Sequence, residues 1–247
     1  MLTNHTPFSD VDKYGKFDVS MTVDGINYQY MEDTKLGNYL KSVHYADKCL
    51  GEFFEALDKN KLLENTVIVL YGDHDARLPD SDYQRFYNYD ITTNQTFDVE
   101  DSRYEEFDYY DYELNRKVPL IIWSKNNKQS RTINSVMGMY DLMPTLGNMF
   151  GFSNKYALGH DIFNHLNDNL VVFPTGNWLT NKVYYNCQKN EYLALKESVI
   201  SKEYIDNNNE RADEILSVSN SIIVYDLIKN AESIKEEIDE SKVIGGK

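Results

Sequence analysis

Thr66-Val67-Ile68-Val69-Leu70-Tyr71-Gly72-Asp73-His74-Asp75 is the stretch from which the rest of the chain can be read. Its first half is a continuous apolar, β-branched run. That composition predicts a strand buried on both faces, as inside a parallel sheet. The run stops at Gly, Asp, His, Asp. A core strand ending in a carboxylate and an imidazole carries both to the carboxyl edge of a sheet, where open α/β folds bind their ligands. Carboxylate oxygen and imidazole nitrogen are also donors that Mn²⁺ and Zn²⁺ accept. Gly72 predicts a sharp backbone turn that lets the two side chains converge.

Upstream of this strand, Leu36, Tyr39, Leu40, Val43, Ala46, Leu50, Phe53, Phe54 and Leu57 recur at helical steps. They predict a helix over 36–63, capped by Asp33 or Thr34. Helix, short loop and strand make half of an α/β unit. Downstream, residues 76–116 form an insertion crowded with Asp, Glu and Tyr. The plain reading is a solvated acidic excursion; the sharper one is a substrate lid. Val118-Pro119-Leu120-Ile121-Ile122-Trp123 reads as a second buried strand, Thr132–Val136 as a weaker one, and Tyr140–Phe150 as a short helix with Asp141 near its start.

After residue 165 the pattern changes. Runs at 170–173, 182–185 and 192–195, with turn chemistry at Gly176-Asn177 and Lys189-Asn190, predict an antiparallel meander. A last helix over 210–238 is expected to cover one of its faces. Two domains follow: 1–165, the α/β part, and 166–247, a small antiparallel sheet with a helix.

Bulk numbers narrow the function. The 247 residues carry 40 Asp and Glu against 25 Lys and Arg, a net charge of −15. That balance argues against a nucleic-acid partner, since nothing offsets a phosphate backbone. A phosphate-bearing substrate stays open, because a metal ion inverts the local sign. Two cysteines, Cys49 and Cys187, make neither a disulfide framework nor a thiolate metal site, and Cys49 is expected as a buried free thiol. No apolar run is long enough to span a bilayer, so the chain reads as soluble, or as a soluble piece of an anchored parent.

Spacing alone leaves the chemistry undecided. Asp73 and His74 are two donors where catalytic metals use three or more protein ligands. A His beside an Asp is more often a satisfied loop residue than a ligand, and Asp141 is most simply a helix-terminal carboxylate.

The joint order of motifs adds to this. Thr3-Asn4-His5-Thr6-Pro7-Phe8, Tyr45–Phe54, Asn65–His74, Val118–Ile122, Asp141-Leu142-Met143-Pro144-Thr145-Leu146 and Leu158-Gly159-His160-Asp161-Ile162-Phe163 follow one another as in a known family. The chain resembles the carboxyl-terminal part of the sulfatase-type catalytic domain of lipoteichoic acid synthases and related glycerophosphotransferases, in the alkaline phosphatase-like superfamily. The resemblance implies part of a mixed α/β sheet flanked by helices, with a small carboxyl-terminal subdomain. It implies a divalent cation, Mn²⁺ foremost with Zn²⁺ or Mg²⁺ as alternatives, held by Asp73 and His74. It implies that His5 contacts the substrate phosphate. A Glu ligand and a nucleophilic Thr come from an earlier region in the family. Neither Thr3 nor Thr6 sits at a strand-to-helix junction, so the chain has no assigned nucleophile and is expected to be inactive alone.

The implied substrate is a lipid headgroup or cell-envelope polymer, on the extracellular face of a bacterial membrane for the anchored parent. The sheet is expected to be covered by an amino-terminal half of the domain or by self-association. A sulfatase, phosphatase or phosphoethanolamine transferase would share the Asp-His edge. A binding domain that kept the fold without the chemistry is the non-enzymatic alternative.

Overall fold

The Thr34 hydroxyl accepts the Gly37 N–H at 2.9 Å and opens helix α1, Lys35–Lys59. This computed structural model describes residues 5–9, 11, 17–29, 31–90, 92–93, 95–128, 130–164, 169–196, 199–231 and 233. Met1–Asn4 and the end of the last predicted helix, 234–238, lie outside them. The chain divides into two compact units, Met1–Ser130 and Arg131–Lys247.

In the first unit, strands β1 (Met21–Val23) and β2 (Ile26–Tyr28) form a hairpin. Its two turn residues, Asp24 and Gly25, take φ of 52° and 80°, as a tight hairpin turn requires. Helix α1 stops at Asn60, before the expected end at 63. Lys61 takes the left-handed conformation, its N–H bonds Asp58 O, and Leu62 N–H bonds Leu57 O. That pair of bonds closes the helix and points the chain toward strand β3, Val67–Tyr71.

Strand β3 is where the sequence predicted it, but its surroundings differ. It pairs antiparallel with β6, Leu120–Ser124, in a two-stranded sheet among the described residues. Ile68 is buried, whereas Val67 and Tyr71 are 38% and 55% exposed. A long apolar run without alternation states that both faces are compatible with cover; it does not supply the layers. The α1 side chain Phe54 packs edge-on against Trp123, so one end of one sheet face is covered by α1.

Between β3 and β6 the insertion is folded, not an unstructured excursion. It holds helix α2 (Asp80–Tyr87), a short pair β4 (Tyr89–Asp90) and β5 (Gln95–Thr96), and helix α3 (Tyr109–Leu114). Asp108 starts α3 with a capping box closed by Asp111. The buried Asn88 side chain donates to Gln84 O and Glu105 O and accepts from Glu105 N. Gln84 brackets the same segment through Glu105 O and Phe107 N.

In the second unit, a 3-10 turn at Met139–Asp141 leads into helix α4, Leu142–Phe150. Strands β7 (Val171–Val172), β8 (Trp178–Leu179), β9 (Val183–Asn186) and β10 (Glu191–Ala194) form an antiparallel sheet in the order β10-β9-β8-β7. The predicted meander therefore has one more strand than its sequence runs suggested. Gly176 and Asn190 supply positive φ at its turns. Helix α5, Lys202–Val224, begins at a Ser201 cap, earlier than the predicted 210. Its Ile205 and Ala212 join Leu170, Val172, Trp178, Val183 and Tyr185 in the core.

No strand forms at 132–136. The backbone of Val136 bonds two side chains instead, its N–H donating to Asn181 Oδ1 and its carbonyl accepting from Asn169 Nδ2. Tyr140 likewise bonds the backbone of β7, with Val172 N–H donating to its hydroxyl at 2.9 Å. By packing, 131–164 therefore goes with the meander, where composition had placed the division at 165. Cys49 is half-buried rather than buried, and unpaired in any disulfide.

Candidate functional site

A small apolar cluster assembles the site. Phe8, Leu36 and Leu78 bury against one another, with Tyr39, Ala76 and Tyr83 packed around them. Three stretches are thereby tied together: the segment holding His5, the first turns of α1, and the chain just past β3. The consequence is that His5 and His74 lie with ring centroids 5.7 Å apart, edge to face.

Both imidazoles use Nδ1 in the same way. His5 Nδ1 lies 2.6 Å from Thr6 O, and His74 Nδ1 lies 2.6 Å from Asp75 O. A carbonyl oxygen only accepts, so Nδ1 carries the proton in each ring. In the neutral ring Nε2 then holds the lone pair, the state that ligates a metal or accepts a proton.

His5, Asp73 and His74 line one cavity of about 710 Å³. Asp73 is exposed and His74 half-buried. One wall comes from the apolar stripe of α1, including Leu36, Tyr39, Leu40 and Val43. Further lining comes from α2, through Asp82, Tyr83, Phe86 and Tyr87. Lys117 and Val118, at the entry to β6, also line it.

Gly72 acts by space more than by turning. A Cβ there would meet Val118 Cβ at 2.8 Å, and Gly72 N–H donates to Pro119 O at 3.1 Å. Its φ is not among the positive values of the described glycines. The strand end is thus held flush against the start of β6, and the following residues are aimed into the cavity.

Asp75, next to the candidate ligands, is committed elsewhere. Its nearly buried carboxylate accepts from Arg77 N at 2.9 Å and pairs with Arg116 Nε at 3.3 Å. Arg116 in turn pairs with Glu113. Asp75 therefore ties the insertion's two ends together at the cavity rim. Asp141 also proves structural: fully buried, it accepts from Gly138 N, His160 N and Asn169 Nδ2 at 2.8, 2.8 and 3.0 Å.

The donor types at Asp73 and His74 suit a divalent cation, but among the described residues no group of three or more His, Cys, Asp or Glu converges. The pair is of the right chemistry and short in number.

Sequence reasoning missed the α2 contribution. Asp82 has a buried Oδ2 without a hydrogen-bond partner, and burial pushes its carboxyl above the ordinary carboxylate value, against the lowering effect of Lys35 and Arg85. Burial and the nearby Asp75 raise the Tyr83 hydroxyl in the same way. The signal was present: residues 83, 86 and 87 form an aromatic stripe at helical spacing.

The sulfatase family profile matches residues 1–152, more than half of the chain. The chain belongs to the sulfatase family. This sulfatase-family chain is 28% identical over 232 residues to lipoteichoic acid synthase 1 of Bacillus subtilis (strain 168), covering 92% of itself and 32% of that protein. It is 27% identical over 239 residues to the lipoteichoic acid synthase of Staphylococcus aureus (strain NCTC 8325 / PS 47), with the same coverage. It thus spans about a third of the length of these curated relatives. Its fold matches the crystal structure of the lipoteichoic acid synthase LtaP from Listeria monocytogenes with a TM-score of 0.61, at 24% identity, over 89% of this chain and 52% of that one. This likeness agrees with the expected mixed α/β architecture. No helix among the described residues is long and apolar enough to cross a membrane.

Proposed function

We propose that this chain is the carboxyl-terminal part of a metal-dependent phosphotransferase that moves a glycerophosphate-type headgroup in the bacterial cell envelope. The observation that carries the reading is the convergence of His5 and His74 at one cavity, each with Nδ1 bonded to a backbone carbonyl and Nε2 available. The membership of the sulfatase family and the likeness to lipoteichoic acid synthases support the reaction class.

Asp73 and His74 would hold the cation, Mn²⁺ foremost. When bound, it supplies a Lewis acid that offsets phosphate charge and lowers a hydroxyl pKa. A cation would suit this cavity, whose lining carries Asp73, Asp75 and Asp82 beside Lys117, with Asp75 already paired to Arg116. An acidic pocket repels a phosphate unless a cation intervenes. His5, with Nε2 protonated, would donate to a phosphate oxygen, and Phe8 three residues on anchors its segment in the apolar cluster. The apolar α1 wall would exclude water from the transferring group.

The nucleophilic Thr, forming a phospho-threonine intermediate, and a further Glu ligand would come from a stretch outside these 247 residues. That stretch would also cover the open face of β3 and β6, and the parent would be anchored with this part outside the membrane. Alone, the chain would bind Mn²⁺ weakly and turn nothing over.

Two measurements test this. Titration of Mn²⁺ followed by electron paramagnetic resonance is expected to show binding that His74→Ala and Asp73→Asn each abolish. Bis(p-nitrophenyl) phosphate with Mn²⁺ is expected to give no turnover on the chain alone; turnover lost on His74→Ala would overturn the claimed inactivity. Mn²⁺ binding unchanged in both variants would overturn the site.

A further inference from the structure

The entry to β6 carries a cation that nothing else in the chain engages. The ladder pairs Tyr71 with Leu120, and the Gly72 N–H bond to Pro119 O carries it past the end of β3. Val118 packs against Gly72, 2.8 Å from the position a Cβ would take there. Lys117, the residue before, is thereby delivered to the rim where β3 ends in Asp73 and His74. It lines the same cavity as those two and His5. Its backbone is fixed from the other side as well, because Arg116 is held by Asp75 and Glu113 at 3.3 and 3.1 Å.

Other cations of this unit are already used. Lys35 donates to Arg77 O at 3.2 Å, Lys41 pairs with Glu32 at 2.8 Å, and Lys125 pairs with Asp58 and Glu64. Lys117 is exposed and makes no hydrogen bond or ion pair among the described residues. Asp73, of opposite charge on the same rim, is exposed too and does not pair with it. Two opposite charges that line one cavity without neutralising each other leave each open to a ligand of the other sign. The carboxylate suits a cation. The ammonium, a compact point charge with three donors, suits a phosphate oxygen.

We propose that Lys117 is a substrate-binding residue of this site, its ammonium holding a non-bridging oxygen of the phosphate that also meets His5. The identity of the ligand rests on the phosphotransferase reading. The role of the ammonium stands on the placement of Lys117 and its lack of a partner, so the two fail separately.

The test uses the whole 247-residue chain and isothermal titration with sn-glycerol 3-phosphate, with and without Mn²⁺. Lys117→Gln is expected to weaken binding about tenfold, the loss of one charged hydrogen bond, while Lys117→Arg stays within about twofold of the parent. Added salt is expected to weaken binding more steeply in the parent and Lys117→Arg than in Lys117→Gln. Circular dichroism and thermal unfolding establish that both variants remain folded. Equal binding by the parent and Lys117→Gln overturns the assignment, and so does a loss in Lys117→Arg as large as in Lys117→Gln. Failure of the parent to bind sn-glycerol 3-phosphate overturns it too, and if Mn²⁺ still binds, the cation site at Asp73 and His74 survives. Affinity that depends on Lys117 but gains nothing from Mn²⁺ supports the ammonium's role and counts against the metal-dependent reading instead.

Discussion

Asp141 and Asp82 are two carboxylates that the sequence leaves alike and the structure separates. Asp141 is fully buried but meets three N–H donors, which stabilise its charge. In Asp141→Asn one acceptor oxygen becomes an amide that faces donors. The loss is expected to be about 3 kcal/mol, read as a lower urea midpoint with an unchanged slope. Asp82 Oδ2 lacks such a donor, and burial raises this carboxyl above its ordinary value despite Lys35 and Arg85. The sign follows directly. A carboxyl whose folded pKa is raised favours folding below its unfolded value, and that contribution is lost as pH rises through the folded value. Asp82→Asn is therefore expected to melt at a higher temperature than the parent at pH 7, with the difference closing as pH falls toward 3. A lower melting temperature at pH 7 would show that the carboxylate is satisfied. The two residues could not have been told apart from sequence, because each stands in the first turn of a helical pattern, and only the donors arriving from elsewhere distinguish them.

Among the elements, those with strong local signals were legible. The apolar stripe of α1, the Thr34 cap, the β3 and β6 runs and the turn residues of the meander all formed where their patterns stood. What failed were segments whose backbone bonds are satisfied by distant side chains. Thr132–Val136 has strand composition, but Asn169 and Asn181 take up the Val136 backbone groups. Strand β8 was hidden because Trp178-Leu179 is only a two-residue run. It is held by tertiary packing: Trp178 is fully buried, stacked on Tyr185 at 5.1 Å, and bonded to Asn209 at 2.7 Å. The insertion shows the same dependence. Its order rests on the amides of Asn88 and Gln84 bracketing 105–107, a contact that charge and Tyr counts do not announce. Asn88→Ala is expected to speed amide exchange at Glu105 at least tenfold, the loss of roughly one to two hydrogen bonds, while β9 amides stay unchanged. Exchange at 105 unaltered by the substitution would show that the insertion is held by its aromatic stack instead.

At the scale of the molecule, the two units differ in how completely they enclose their apolar surface. All four residues of β9 are buried, and Trp178, Val183 and Tyr184 are almost wholly so. In β3 only Ile68 is buried, and α1 leaves Phe53 51% exposed. Native-state exchange is expected to protect β9 more strongly than β3 by an order of magnitude or more, since opening energy follows buried contact. Protection of β3 equal to that of β9 would mean that the first unit is as well enclosed as the second. The order of motifs along the chain was enough for the family and for the helix and strand stretches. These depend on local spacing and composition, which the residues carry wherever they are placed. The meeting of His5 with His74, the burial of Asp82 Oδ2 without a donor, and the open faces of β3 depended on the folded chain. Each is a relation between residues distant in sequence, set by which apolar surfaces find cover, and no local pattern encodes that.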